Sequence, residues 1–396
     1  SSVAWQPDGE MISFKMKRGD NKFTQVWGLP LNGGEARQLT KAKSSVLLYR
    51  WSKDGSMLGF VAQTPKSKRE KALSDKGYGF TFFEENLKDR NLYLQNMADE
   101  NGCAKQLTDQ GSVWDFQFNN SGTTIAAAIS PENLVDHSYM FKKIFLIDME
   151  SGDRTQLTNN DGKLGTFAFS PNDKKVVYNG ALERKDHQYS QAFVMDVSGG
   201  EALNVTPSKF RGHINWVGWK DDNTIMYKAN EGVWTTLSTV AAKGGKRTVI
   251  FDAEKMGANI VSFCKTGDTK SFAVLASSST VPADVYFWQP KKELKRLTTL
   301  NPWMKDRELG VQKVVSYKAR DGKEIEGLAI FPIDYKKGTR YPLVINVHGG
   351  PESNFLNDWL RTTRYSIAGQ VLAGRGYVVF YPNYRSSTGY GVDYAL

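Results

Sequence analysis

The chain has little of the chemistry that marks a metalloprotein or a disulfide scaffold. Its 396 residues include two cysteines, Cys103 and Cys264, and four histidines, His137, His187, His213 and His348. The cysteines lie far apart, with no Cys-x-x-Cys spacing and no histidine in a metal-ligand pattern, so neither a zinc site nor a disulfide framework is expected. Two buried thiols are expected instead. The scattered histidines give no metal motif, and nothing calls for a cofactor. No run of eighteen apolar residues occurs, so no candidate membrane span exists. Acids are in deficit, 42 Asp and Glu against 52 Lys and Arg, for a formal charge of +10. In a small domain that excess would point to nucleic acid. Here the basic residues sit in short clusters mixed with acids, such as Lys66-Ser-Lys-Arg-Glu-Lys71 and Lys291-Lys-Glu-Leu-Lys-Arg296, and read as solvated surface.

What is present is a globular composition, 40% hydrophobic and 12% aromatic, over a length that suits two or three domains. From Val3 to Thr298 one phrase repeats: an aromatic strand, a polar turn, a second apolar strand and a closing Leu-Thr. The turn phrase occurs as Trp5-Gln-Pro-Asp-Gly9, Trp51-Ser-Lys-Asp-Gly55, Phe118-Asn-Asn-Ser-Gly122, Phe169-Ser-Pro-Asn-Asp173, Trp219-Lys-Asp-Asp-Asn223 and Phe263-Cys-Lys-Thr-Gly267. The closing phrase ends at Thr40, Thr108, Thr158, Thr206 and Thr298. A period of roughly 46 to 50 residues with this content is the signature of a β-propeller, four strands to a blade. Six blades are visible. Val3-Ala-Trp5 reads as part of a blade already under way, so the first blade is expected to be incomplete and at least one more to precede Ser1. The aromatics ahead of the turns, Trp5, Trp51 and Trp219 among them, are expected to pack between blades.

One repeat exceeds the others by about twenty residues, between Ala62 and Arg90, and its excess carries Tyr78-Gly-Phe-Thr-Phe-Phe-Glu84-Glu85-Asn86. Loops longer than a scaffold needs tend to carry function.

After Thr298 the repeat stops. Asn301-Pro-Trp303 opens a connection into Val311–Tyr317 and Glu324–Pro332, two strands joined by an Asp321-Gly322 turn, the antiparallel start of a second sheet. Next comes Tyr341-Pro-Leu-Val-Ile-Asn-Val-His-Gly-Gly-Pro351. Leu343 to Val347 is almost wholly apolar, as in a parallel strand buried on both faces. Gly349 and Gly350 allow a sharp turn that points amide N–H groups into space, as an oxyanion hole requires. Pro351 has no N–H, so the donor is Gly349 or Gly350. A further apolar strand follows Gly376-Tyr377 and leads to Asn383-Tyr-Arg385-Ser386-Ser387-Thr-Gly389-Tyr390-Gly391.

These segments resemble the prolyl oligopeptidase family of serine peptidases, in its acylaminoacyl peptidase and dipeptidyl peptidase branches. The resemblance is weak through the repeats and specific from Val311 onward. Ser386 stands where the family has glycine. The resemblance implies a propeller over residues 1–300, with about seven four-stranded blades, then the first part of an α/β-hydrolase domain over residues 301–396. The nucleophile elbow, aspartate and histidine of the family would lie beyond Leu396, so the Ser/Asp/His triad is not in this chain. The chain alone is expected to be inactive, with the remaining catalytic fragment as its partner. His348 would support the oxyanion turn. Glu84 and Glu85 resemble the paired glutamates that hold a peptide's free amino end in dipeptidyl peptidases, where two carboxylates give charge-assisted hydrogen bonds to an α-ammonium.

The leading expectation is a serine peptidase that hydrolyses short peptides through a covalent serine ester, with the propeller gating access and dipeptidyl peptidase action favoured. The alternatives are an acylaminoacyl peptidase, a non-enzymatic propeller that binds a partner, and a carboxylesterase. Compartment stays open between cytoplasm and periplasm.

Overall fold

The computed structural model describes residues 2–7, 9–80, 82–99, 103–185, 190–350, 352–360, 368–391 and 394. His187 and Pro351 fall outside the described residues. The chain divides into two compact units: Ser1–Val176 with Met195–Ala202, and Val177–Val194 with Leu203–Leu396. The division runs through the fourth of seven four-stranded sheets.

The first six sheets occupy residues 3–38, 46–106, 112–156, 164–204, 213–252 and 259–296, and each joins its four strands in sequence order, the meander of a propeller blade. The first sheet, expected to be incomplete, also has four strands, the first of them only the three residues Val3–Trp5. In each sheet the second strand is flanked on both sides. Thr124–Ser130, for example, is buried at every position after Thr124. Small residues there let aromatics of the next blade approach: a Cβ on Gly59 would stand 2.7 Å from the Phe116 ring. Val61, Leu92, Val113, Phe116, Ile125 and Ile147 form the resulting core of the second and third sheets.

The repeated threonine has a structural reason. The Oγ1 of Thr40, Thr108, Thr158, Thr206 and Thr298 accepts the backbone N–H of Val26, Leu92, Ile144, Ala192 and Val285 respectively, at 2.8–3.0 Å. Each N–H belongs to a third strand just where its short fourth strand has ended, so the hydroxyl supplies the acceptor that the strand no longer provides. Lysines act similarly between blades. Lys228 Nζ donates to the carbonyls of Ile260 and Val261 at 3.3 and 3.2 Å, where the first strand of the sixth sheet is bulged, and Lys15 donates to Leu47 O at the equivalent bulge of the second sheet.

Two packing expectations are corrected. Trp51 and Trp219 are largely enclosed, and Trp51 Nε1 donates to Ser13 Oγ of the preceding sheet at 2.9 Å, but Trp5 is 59% exposed. Trp51 packs on a residue of the preceding sheet, whereas no sheet among the described residues precedes the one that holds Trp5. Both cysteines are exposed free thiols, Cys103 in a loop and Cys264 on the outward side of a strand.

The seventh sheet lies in the second unit, with strand order Gln312–Lys318, Glu324–Ile330, Val378–Asn383, Leu343–Ile345. The first two pair antiparallel across the Asp321-Gly322 turn, in which Gly322 takes φ +85°. Leu343–Ile345 pairs parallel with Val378–Asn383, as in an α/β-hydrolase sheet. Burial of Leu343–Val347 on both faces is not observed: Leu343, Ile345 and Val347 are each more than half exposed. The strand is at the edge of the described sheet, and of its three residues Val344 packs on the core made by Leu328, Ile330, Ala373, Val379 and Tyr381. Val233, from the hairpin between Thr224–Glu231 and Trp234–Ala241, joins the same core.

Candidate active site

Beyond Ile345 the chain leaves its parallel pairing through Asn346, whose N–H donates to Phe380 O at 2.8 Å, and enters His348-Gly349-Gly350. Gly350 has φ +147°, and a Cβ there would approach Glu352 N to 2.9 Å, so the position requires glycine. Gly349 faces open space. Both glycines are exposed, and neither amide donates a hydrogen bond among the described residues.

His348 is held on several sides. Its ring stacks on Tyr384 at 4.6 Å between centroids and meets Phe355 edge-on at 5.1 Å. Nε2 lies 2.9 Å from Ser387 Oγ, and Nδ1 lies 3.3 Å from Gly349 O. The Tyr384 hydroxyl donates to His348 O at 2.6 Å. Burial lowers the imidazole pKa below its ordinary value, against an upward pull from the Gly349 carbonyl. The ring is therefore a neutral strut between the turn and the 384–391 loop.

That loop is anchored in turn. The side chain of Asn383 brackets Phe355, accepting from its N–H at 2.7 Å and donating to its carbonyl at 3.0 Å. Asn354 reaches the fifth sheet's hairpin, donating to Gly232 O at 2.8 Å and accepting from Asn230 Nδ2 at 2.9 Å. Gly232 N–H donates to Gly389 O at 2.7 Å, an approach that a side chain on Gly389 would obstruct. Tyr390 OH donates to Glu326 Oε2 at 2.7 Å and accepts from Asn383 Nδ2 at 2.8 Å. Burial pushes the Glu326 carboxyl up, with the Tyr390 hydroxyl and the Val233 backbone opposing it. Arg211, Glu231, Glu324, Glu326, Tyr390 and Tyr394 border a cavity of about 430 Å³ beside this network. The anchors Asn354, Tyr384 and Ser387 were not assigned roles from sequence. Asn354 gives no signal there, while Ser387 and Tyr384 lie inside the motif that carried the resemblance.

Glu84 and Glu85 belong to the first unit. The insertion opens with the helix Lys68–Asp75, closed at its N-terminus by a Ser67/Glu70 capping box. It continues into exposed Tyr78, Phe80, Phe82 and Phe83, with Tyr78 on Phe80 and Phe80 on Phe82 in edge contacts of 6.5 and 5.3 Å. Glu84 takes φ +58° and Asn86 φ +53°, a tight turn that presents Glu84 and Glu85 to solvent. Neither carboxylate has a hydrogen bond or ion pair among the described residues. No group of three or more His, Cys, Asp or Glu that could hold a metal ion occurs among the described residues.

The fold is that of propeller blades followed by an α/β-hydrolase sheet. No protein-family profile matches the chain. It is 25% identical to the "uncharacterized peptidase YuxL" of Bacillus subtilis over 98% of this chain and 62% of that protein. It is 26% identical to dipeptidyl-peptidase 5 of Aspergillus oryzae over 71% of this chain and 40% of the relative. Among solved structures, an acylaminoacyl peptidase in complex with Z-Gly-Gly-Phe-chloromethyl ketone superposes with a TM-score of 0.74 at 20% identity, covering 100% of this chain and 59% of its own. The chain thus spans about two fifths to three fifths of the proteins it matches. Its homologues and structural neighbours are peptidases of the prolyl oligopeptidase family, the family that its motifs resemble.

Proposed function

We propose that the protein to which this chain belongs is a serine peptidase that cleaves short peptides by acyl transfer, with dipeptidyl peptidase-like action. The observation that carries the reading is the pair of unengaged, exposed amides at Gly349 and Gly350, on a glycine-dependent turn at the end of a parallel strand. Such donors, fixed before substrate arrives, stabilise the oxyanion of a tetrahedral intermediate, and one of them is worth roughly 3 to 4 kcal/mol in comparable sites. His348 acts as the strut that fixes the turn. The base, acid and nucleophile come in this proposal from the remaining catalytic portion that the longer relatives carry. The exposed row Leu343, Ile345 and Val347, alternate residues on one face of the strand, suits an apolar element of that portion packed on the sheet. Glu84 and Glu85 hold the substrate's amino terminus, and the propeller limits entry to short peptides.

The relatives named dipeptidyl-peptidase 5 favour a free amino terminus, whereas the acylaminoacyl peptidase neighbour favours a blocked one. Glu85→Gln in the full-length protein separates them. The expected result is a higher KM for free-amine substrates and an unchanged KM for N-acetylated ones. Equal effects on both would remove Glu85 from recognition. Failure of a fluorophosphonate to label the full-length protein would remove the serine peptidase reading itself.

A further inference from the structure

In the first unit, three cations lie near the bulged first strand of the third sheet, beside the Asp115 carboxylate. Arg50 NH2 pairs with Asp115 Oδ1 at 2.8 Å. Arg90 lays its guanidinium over the Trp114 ring, 4.2 Å from the centroid, and Trp114 is fixed by its Nε1 hydrogen bond to Ser130 Oγ at 2.7 Å. Lys142, just ahead of the third strand of the same sheet, continues the register that pairs Lys143 with Ile129 and so lies beside Ser130, the residue that holds Trp114; burial lowers the pKa of its ammonium. Unlike Lys15 and Lys228, which donate to carbonyls, Lys142 Nζ and the Arg90 guanidinium make no hydrogen bond among the described residues. The Nε atoms of Arg50 and Arg90 are buried and without a partner among them. Asp115 neutralises one of the three charges.

Half-buried donors of one sign, held in place and unpaired, are costly unless something binds them. A guanidinium lying over indole keeps its N–H groups in its own plane, clear of the ring, where its two terminal NH2 groups can match the two oxygens of a carboxylate.

We propose that Arg90 and Lys142, with Arg50 behind them, form a binding site for a carboxylate of the peptide substrate, either its C-terminus or an acidic side chain. The peptide origin of that carboxylate rests on the peptidase reading; the anion site does not. Arg90 stands at the end of the same insertion that carries Glu84 and Glu85, so one loop would contact opposite charges of a short substrate.

The test compares trialanine, trialaninamide and amidated Ala-Asp-Ala on the full-length protein, by KM and by calorimetric titration of fluorophosphonate-blocked enzyme. A C-terminal site predicts that trialanine binds about tenfold or more tightly than trialaninamide, the value of a charge-assisted hydrogen bond. A side-chain site gives that advantage to amidated Ala-Asp-Ala. In either case Lys142→Gln and Arg90→Gln should abolish the preference, and thermal unfolding shows whether each variant is folded. Lys142→Gln is the safer variant, since Lys142 has no ring contact among the described residues. If the wild type binds all three peptides equally, or if folded variants keep the preference, the inference is overturned. If the protein hydrolyses no peptide yet still binds acetate through Arg90 and Lys142, the peptidase reading fails and the anion site stands.

Discussion

Tyr390→Phe isolates one hydroxyl that joins three segments of the candidate site. The side chain donates to Glu326 Oε2 at 2.7 Å and accepts from Asn383 Nδ2 at 2.8 Å, so the 384–391 loop is tied both to the strand Glu324–Ile330 and to the residue that brackets Phe355. Phenylalanine keeps the ring and its packing near Tyr394. What is lost is a hydrogen bond to a charged, partly buried acceptor, worth about 1.5 to 3 kcal/mol. Asn383 Nδ2 keeps its bond to Phe355 O, so the second loss is small. About 2 kcal/mol of destabilisation is expected above the pKa of Glu326, which burial raises over the ordinary carboxylate value. Below that pKa the carboxyl is protonated and a weaker acceptor, so the gap between wild type and variant should narrow as pH falls through it. Urea unfolding followed by tryptophan fluorescence at several pH values from about 8 down to about 4 reads both quantities. A loss under about 0.5 kcal/mol at high pH, or a gap that does not change with pH, would refute the assignment.

The other structural features give predictions of the same kind. Ser386 takes φ +71° in the turn closed by Ser387 N–H to Tyr384 O at 3.0 Å, so Ser386→Gly should stabilise the protein by about 1 kcal/mol in thermal or urea unfolding. Thr158→Val leaves the buried Ile144 N–H without its acceptor and should cost about 2 kcal/mol, whereas Thr158→Ser, the worse match in shape, should cost less. Hydrogen exchange of the 143–148 segment should quicken about thirtyfold in the valine variant alone. His348 is kept neutral by burial, with a folded pKa below its unfolded value, so folding stability should fall as pH drops below about 6.5, and His348→Gln should flatten that part of the stability profile.

Legibility in the sequence followed the length scale of the physics. The repeated Leu-Thr or Val-Thr announced five of the six blades because the threonine hydroxyl closes a third strand by a contact some fourteen residues away in the chain, at the same place each time. Asp321-Gly322 announced a hairpin because a positive φ at Gly322 is a local demand. Burial was less legible. Trp5 shares its phrase with Trp51, yet among the described residues only Trp51 has an earlier sheet beside it. Leu343, Ile345 and Val347 have the composition of an interior strand, and they are exposed in a chain that spans only part of its relatives' length. The thiols of Cys103 and Cys264 were misjudged for the same reason: residue type sets a tendency to be buried, and the neighbours decide it.

At the candidate site the readable part was backbone and the unreadable part was support. A His-Gly-Gly turn after an apolar strand can be seen in one dimension, since the glycines answer a local steric need: a Cβ on Gly350 would meet Glu352 two residues on. The struts come from far away. Gly232, 122 residues before Asn354, receives its side-chain amide, and Glu326 lies 64 residues before the hydroxyl of Tyr390. Nothing about an Asn in Glu352-Ser-Asn354 marks it as a tie between a propeller hairpin and a hydrolase loop. That tie has a consequence for the proposed chemistry. The turn proposed as the oxyanion hole is held by His348, His348 by Ser387 and Tyr384, and their loop by Gly232 and Glu326, so the amide positions depend on the fifth blade's hairpin as well as on the hydrolase sheet. Lengthening that hairpin by one residue after Gly232 should therefore lower kcat of the full-length enzyme while leaving KM for short peptides nearly unchanged. An insertion variant that folds and keeps wild-type kcat would show that the turn is positioned by the sheet alone.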